Sequence, residues 1–506
     1  MTVIRFGEWL PDQPSFDARD GVDLAPYCLI AKNAVPHILD YSEFPQQAAF
    51  SSALTARCQG AAGFVAADGT PHLVAGDATK LYRFADTTAT DASKAGGYTI
   101  EADQMWRFLH WGADNRVFAF NISDAVQVAS LSSSLSFSDL FTSTLKPKAR
   151  YGAIIKNHLV LANVDEGGTL YPTRVRWSAI ADPSDMDANT TNYSGAIDLK
   201  GEYGWIQGIT GGEYGLVLRD RGIHRLVWTG LPDIFNADDV LDENVGLWAP
   251  HSLQNWKHLT FFLSDSGLKM HDGAQVHDIG ASKIDRWLTS NIDVGTRVRA
   301  SSAIDPDNKL YLLAFPSKNS SNGHPDLILL YDWIDRRFAY AEPTNAMEII
   351  FRSITTGYTL EELDAFGTLE SLGFSFDSRV FHGGQVQVSC FLTSHRMYHF
   401  TGNAETATFE TADQHFFPGY RAQVNAFRPL VVGSAGAAVR GAMGVRNNLI
   451  SESASFATSV SPSTSGECFQ LAEGRYHRFR ASLAGGFRSA QGVEVINADV
   501  SNTGDR

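Results

Sequence analysis

His258-Leu259-Thr260-Phe261-Phe262-Leu263-Ser264-Asp265-Ser266-Gly267 is a short apolar run that ends in a polar turn. A run of that length, rich in β-branched and aromatic residues and bounded by Asp, Ser and Gly, is a strand entering a hairpin. Working outward, the same unit recurs. His72-Leu73-Val74-Ala75, Arg116-Val117-Phe118-Ala119-Phe120, His158-Leu159-Val160-Leu161 and Tyr214-Gly215-Leu216-Val217-Leu218 precede it. Lys309-Leu310-Tyr311-Leu312-Leu313 and Gln385-Val386-Gln387-Val388 follow it. The starts are separated by 44, 42, 56, 44, 51 and 76 residues. A repeating all-β unit near 45 residues cannot bury both its faces alone and must stack on its neighbours, which is the signature of a β-propeller. The wide last gap favours six blades with the final hairpin outside the ring and leaves seven open.

The chain has 506 residues, 44% of them apolar and 19% charged, enough for a substantial core. Its 44 glycines suit many short strands and tight turns. Formal net charge is −15, and no concentrated basic stretch of the kind that neutralises phosphates stands out in the sequence. Cys28, Cys58, Cys390 and Cys468 are far apart and lack metal-ligand spacing, so no disulfide framework or zinc site is expected. The opening Thr2-Val3-Ile4-Arg5-Phe6-Gly7-Glu8-Trp9 is too short and interrupted for a secretory signal, and no run approaches a membrane span. Synthesis in a cytoplasm is expected.

Five regions follow from these patterns. Residues 1–55, broken by Pro11, Pro14, Pro26, Pro36 and Pro45, read as an extended N-terminal arm. It either packs on its own domain or binds a partner through Trp9, Phe16, Phe44 and Phe50. Residues 56–345 carry propeller blades. Residues 346–402 hold an insertion between blades, with a short helix expected at Tyr358–Asp364 capped by Thr359, and the last hairpin. Residues 403–475 form an accessory β and loop region, and residues 476–506 a set of C-terminal strands. A late strand commonly pairs back to an early blade to remove an exposed edge, and this tail is one candidate for that role.

Catalytic signatures are sparse. Ser264-Asp265-Ser266-Gly267 resembles the start of the turn motif of sialidase-type propellers, but it occurs once and lacks the following aromatic residue, so a hairpin turn explains it. His271, Asp272, His277 and Asp278 are the densest group of metal-ligand types, yet strand alternation around Gly273 places Asp272 and His277 on opposite faces. No GxSxG, HExxH, phosphate loop or dinucleotide fingerprint occurs. No catalytic, cofactor-binding or metal residue is assigned, and no cofactor is expected. Nine tryptophans in or beside the repeats, from Trp106 to Trp333, are expected mostly in the core.

Several segments in order resemble the tail nozzle proteins of short-tailed bacteriophages, a family that includes packaged-DNA stabilisation proteins. They are Arg174-Val175-Arg176-Trp177-Ser178 with Asp182-Pro183-Ser184-Asp185, and Gly222-Ile223-His224-Arg225 with Gly230-Leu231-Pro232-Asp233-Ile234-Phe235. Gly246-Leu247-Trp248-Ala249-Pro250-His251-Ser252 and Phe261 to Gly267 come next. The Thr359–Asp364 segment, Phe376-Asp377-Ser378 and Gly474-Arg475-Tyr476-His477-Arg478 are also similar, as are Trp9-Leu10-Pro11-Asp12 and Ala31-Lys32-Asn33-Ala34-Val35-Pro36. The resemblance implies a non-enzymatic virion protein: a homo-hexameric ring of propellers below the adaptor ring. Such a ring contacts tail fibre, spike or needle proteins, gates the DNA conduit and passes duplex DNA without specific binding. Six copies would carry a formal charge of 6 × −15, so an acidic ring lumen that repels DNA is expected. Loops of 346–384 or 403–475 are the candidate constriction. The alternative is a carbohydrate-binding or carbohydrate-cleaving surface propeller.

Overall fold

The computed structural model describes residues 2–16, 26–189, 191–231, 233–237, 241–355, 384–417, 420–433, 438–450 and 454–500. Among them the one α-helix is Asp285–Asn291, and nearly everything else regular is strand. The expected all-β propeller is present.

Six sheets are each built from consecutive strands, running outward from a central channel. Blade I comprises Gly60–Val65, Pro71–Gly76, Leu81–Ala85 and Thr88–Asp91, and blade II Arg107–Trp111, Arg116–Phe120, Gln127–Ser130 and Ser138–Asp139. Blade III is Lys148–Ile155, His158–Glu166, Thr169–Trp177 and Gly195–Asp198; blade IV is Ile206–Ile209, Gly215–Arg219, Gly222–Trp228 and Phe235–Ala237. Blade V is Gln254–Trp256, Leu259–Ser264, Gly267–His271 and Val276–Asp278; blade VI is Ser301–Asp305, Leu310–Phe315, Leu327–Asp332 and Arg337–Ala341. A seventh sheet is composite: Met347–Ile354, Val386–Leu392 and Arg396–Ala404 receive their outer strand, Pro45–Ala53, from the other end of the chain.

The seven hairpin runs are the second strands of these seven sheets, and their side chains explain why they stand out. Successive residues of a strand face opposite sides, and here both sides are covered by other blades. Leu73 and Ala75 pack with Ile349 and Phe391 of blade VII, whereas Val74 packs with Val117 and Ala119 of blade II. Phe118 and Phe120 meet Leu159 and Leu161, and Val160 and Ala162 meet Val217. Leu216 and Leu218 meet Phe262; Phe261 and Leu263 meet Tyr311 and Leu313; Leu312 and Ala314 meet Ile350 and Cys390. The chain of contacts returns to blade I, so the ring is closed.

Turn chemistry repeats with the blades. The Asp77 carboxylate accepts the Thr79 and Lys80 amides at 2.7 Å each, and Asp305 accepts those of Asp307 and Asn308 at 3.0 and 3.1 Å. Lys156 and Asn157 both adopt positive φ, 47° and 63°, giving the tight turn whose twist matches the flanking strands. At the closing seam Gly63 of blade I lies so near blade VII that a Cβ there would sit 2.7 Å from the Ile354 amide nitrogen.

Three expectations change. The end of the N-terminal arm is a blade strand. The region from 346 is not an insertion between blades, since Met347–Ile354 is the inner strand of blade VII and the extra chain follows it within the blade. The last hairpin, expected outside a ring of six, joins it in a seventh, composite sheet, because Leu73 and Ala75 on one side and Leu312 and Ala314 on the other need its cover. The expected helix at Tyr358–Asp364 lies outside the described residues. The strand that completes the ring, which the sequence left open, is Pro45–Ala53.

The C-terminal strands build a second module. One sheet runs Cys468–Gly474, Ala422–Gly433, Phe487–Val500, Tyr41–Glu43 and Ala34–Pro36, with Thr2–Arg5 also on Phe487–Val500. The other continues the sheet of blade VI: Arg337–Ala341, Tyr27–Lys32, Ala407–Thr411, Tyr476–Ala484, Ala438–Arg446 and Ser455–Phe456. Phe6, Tyr41, Phe409, Phe427, Phe479 and Phe487 fill the space between them, in one cluster with Phe261 and Phe338 of the propeller. Inside the module Asp413 is fully buried and binds Arg446 and Arg478, whose Nε donates at 2.6 Å; Glu410 bridges Arg478 at 3.2 Å and Arg480 at 2.8 Å.

Blade VII also holds a buried imidazole. His399 pairs across the sheet with Ser389, whose hydroxyl lies 2.6 Å from Nδ1, and the Phe50 ring packs on it at 4.2 Å. Burial pushes its pKa down to about 3 from 6.5. The unfolded imidazole takes up a proton near pH 6.5 that the folded one resists. The neutral ring's contribution is therefore complete above that pH and is lost as pH falls toward 3. Replacing His399 with glutamine should flatten the acid limb of a melting-temperature profile between pH 6.5 and 4, by about 2–4 kcal/mol relative to wild type. An unchanged acid limb would count against this assignment.

Candidate functional site: the propeller channel and its mouths

The first strands of all seven sheets surround one cavity of about 750 Å³. Small residues let these strands approach the axis: at Gly152 a Cβ would lie 2.6 Å from the Phe120 ring, and at Gly211 it would lie 2.4 Å from the Ile154 carbonyl oxygen. Thr210, Gln254, Asn255, Ser301 and Ser302 offer hydroxyls and amides. The basic side chains on the described lining are Arg107, Arg352, His110 and His251, Tyr151 adds a phenol, and among the described residues it carries no carboxylate. The paired carboxylates that glycoside cleavage requires are therefore not assembled there. The lining suits neutral polar or anionic contact.

The two mouths differ. Where the inner strands begin, Arg57, Arg107, Arg150, His251 and Arg299 lie at or just before the first strands of blades I, II, III, V and VI. Burial, followed by the charges of Arg107, Arg150 and Arg57, pushes the His251 pKa well below its ordinary value. At the opposite mouth Thr355 and Gly384 face each other: the Gly384 amide donates to the Thr355 carbonyl at 2.7 Å, and the Gln385 carbonyl accepts from the Thr355 amide at 2.9 Å. Gly384 also lines the channel, so the chain between 355 and 384 is rooted at this rim.

The groups singled out in the sequence are now placed. Ser264 and Gly267 are a cross-strand pair closing a two-residue turn, and the Ser264 hydroxyl donates to Asp265 at 3.1 Å. Asp272 and His277 do not point apart. They meet at 2.6 Å across the turn between Gly267–His271 and Val276–Asp278, because Asp272 sits beyond the end of its strand, where alternation no longer applies. Asp272 also accepts the Ala274 and Gln275 amides at 2.9 Å. The Gln275 amide first, then the His277 ring, hold its carboxyl well below the usual range. This is a turn lock. Among the described residues no group of three or more His, Cys, Asp or Glu could hold a metal ion.

The resemblance segments also have local roles. Arg174 grips Asp198 with two bonds, 2.7 and 2.8 Å, and Glu166 with a third at 2.9 Å. Arg176 donates to Glu166 at 2.6 Å and to the Met186 carbonyl at 3.2 Å, which fixes the Asp182–Asp185 turn against blade III. Trp177 donates to the Tyr193 carbonyl at 3.0 Å. Trp106, Trp111 and Trp177 are buried as expected, whereas Trp205 and Trp228 are exposed by 52% and 43%.

No protein-family model and no curated protein matches the chain. Among solved structures it is similar to the Neurospora crassa Pan2 WD40 domain, with 9% identity and a TM-score of 0.36 over 72% of this chain and 96% of that one. Among the described residues no helix is long and apolar enough to cross a membrane.

Proposed function

We propose that this chain is a structural subunit of the tail nozzle of a short-tailed bacteriophage, retaining packaged DNA below the portal and adaptor and passing it during ejection. The observation that carries the reading is the ordered series of resembling segments from Trp9 to Arg478. Two structural features support it. A second β module is continuous with blade VI, so the subunit can present two distinct surfaces on one rigid body. Thr355 and Gly384, between which residues 356–383 run in sequence, meet at one channel rim, the kind of position from which a retaining loop can act.

A closed hexamer uses a heterologous contact between two different surfaces. We assign one to Phe469 and Leu471, which share the outward face of Cys468–Gly474 and are exposed by 65% and 67%, with another copy of the chain as occupant. Replacing both with aspartate should abolish ring assembly while leaving the melting temperature of the monomer within a few degrees of wild type. Sedimentation and negative-stain imaging of rings read the outcome.

The whole reading is tested by sedimentation of the purified chain, alone and with an adaptor ring, alongside a glycan-hydrolysis screen. The expected result is a ring of six 55.3 kDa subunits or stable assembly onto the adaptor. A chain that stays monomeric in both settings and cleaves a glycan would overturn it.

A further inference from the structure

We propose that the channel mouth at which the inner strands begin is a binding site for a phosphate-type oxyanion, held by Arg107 and Arg150 beside His251. The inference goes beyond the nozzle reading and does not depend on it.

The blade topology collects the cations. Arg107 is the first residue of blade II's inner strand, Arg150 is the third of blade III's, and His251 lies in the 3-10 turn Pro250–Ser252 just ahead of blade V's. Arg57 precedes the inner strand of blade I, and Arg299 ends the turn ahead of blade VI's. A pocket of about 40 Å³ is lined by Arg150, Tyr151, Pro250 and His251 together with Gln104, Asn121 and the carboxylate-bearing Asp103. Arg107 reaches the same spot, since its Nη2 donates to the Pro250 carbonyl.

The nearby carboxylates are engaged elsewhere. Asp103, the one carboxylate on the described lining, accepts from Arg299 at 3.0 Å and is neutralised by it. Glu348 accepts the Cys58 amide at 2.7 Å and lies 2.6 Å from the His395 ring. Asp220, beyond Tyr151, accepts the Trp205 amide at 2.6 Å and the Gln207 side chain at 2.8 Å. Among the described residues neither Arg107 nor Arg150 has a carboxylate partner, and the Nε of each is buried without a hydrogen-bond acceptor.

Unmatched guanidinium groups repel one another, and a buried donor without an acceptor costs free energy. Their convergence in a chain of net charge −15 runs against its overall composition. A tetrahedral dianion would accept from both guanidinium forks and neutralise the cluster. The neutral His251 ring, kept from protonating by burial and by the arginines, supplies one further N–H donor without adding to the repulsion.

Isothermal titration of the full chain in phosphate-free, low-chloride buffer tests this, with inorganic phosphate and phenyl phosphate as separate probes. Saturable binding of either is expected, phosphate alone indicating a closed pocket and both indicating that an esterified group is also accepted. Arg150→Gln should weaken binding at least tenfold and, without ligand, should melt no lower than wild type because a source of repulsion is gone. Arg150→Lys should retain part of the affinity, and Lys80→Gln, at an exposed pair on blade I, should change nothing. No saturable heat with either probe overturns the proposal, as does an Arg150→Gln protein that binds like wild type.

Discussion

An Asp413→Ala protein is expected to lose about 3–5 kcal/mol of stability, the typical cost of breaking a buried ion pair from one side. Asp413 is fully buried, while Arg446 and Arg478 are buried to within 8% of complete. Arg478 retains Glu410, at 3.2 Å, and Arg446 retains the Ser15 hydroxyl at 2.6 Å. Neither contact replaces the lost charge. The Ser15 hydroxyl brings Arg446 no charge, and Glu410 must serve both Arg478 and Arg480. Asp413→Asn, which keeps the acceptor oxygen but removes the charge, should fall between alanine and wild type. Denaturant unfolding of the three proteins reads this directly. A loss below about 1 kcal/mol for alanine would show that solvent reaches the two guanidinium groups.

The second large effect concerns the composite blade. Pro45–Ala53 pairs with Arg396–Ala404 through Tyr398 opposite Ala49 and His399 opposite Ala48. Amide directions alternate along a strand, so of two adjacent residues one points its N–H at the partner. The double substitution Ala48→Pro with Ala49→Pro must therefore delete a ladder bond and clash with the third strand. We expect a loss of about 3 kcal/mol or more and aggregation through the freed edge of Arg396–Ala404. Ala95→Pro with Thr464→Pro, each at the second position of a turn outside any strand, is the control. If thermal unfolding and solubility of the two double variants coincide, the seam does not hold the ring.

How much of this was legible in the sequence depends on which strand is asked about. The second strands of the blades were visible because both faces are covered: Leu310–Phe315 and Gly215–Arg219 are buried at every position. Inner strands are half open to the channel and carry small residues, as in Gly60-Ala61-Ala62-Gly63, so their pattern is weak. Pro45–Ala53 was invisible as a strand. Its Gln47 and Ala48 are only partly buried and Ala49 is exposed, and the strand adds to one edge of a sheet already assembled. Alternation misplaced Asp272 because the turn begins one residue earlier than an unbroken strand would allow. Residue type placed the tryptophans mostly in the core without saying which are not; Trp205 and Trp228 are the exposed ones, at blade ends.

The arginine mouth was illegible for a different reason. Arg57 and Arg299 are far apart in sequence, and nothing local to either marks it as special. What they share is a place at the start of an inner strand, and that position becomes informative only after the strands are counted inward from the turns. The second strands give that count, so the mouth could be found in principle from the repeat once each blade's innermost strand is known.

The shared blade sets an order of events during synthesis. Ser51 meets Met397 across 346 positions of chain. At ribosomal elongation rates of about 5–20 residues per second, the earlier segment waits roughly 20–70 s for its mate. Six blades can stack meanwhile, but as an open horseshoe with two apolar flanks bare, Leu73 and Ala75 on one and Leu312 and Ala314 on the other. The nascent polypeptide is thus most vulnerable to chaperone capture or misassociation late in translation, and the first residues made are among the last to find their place.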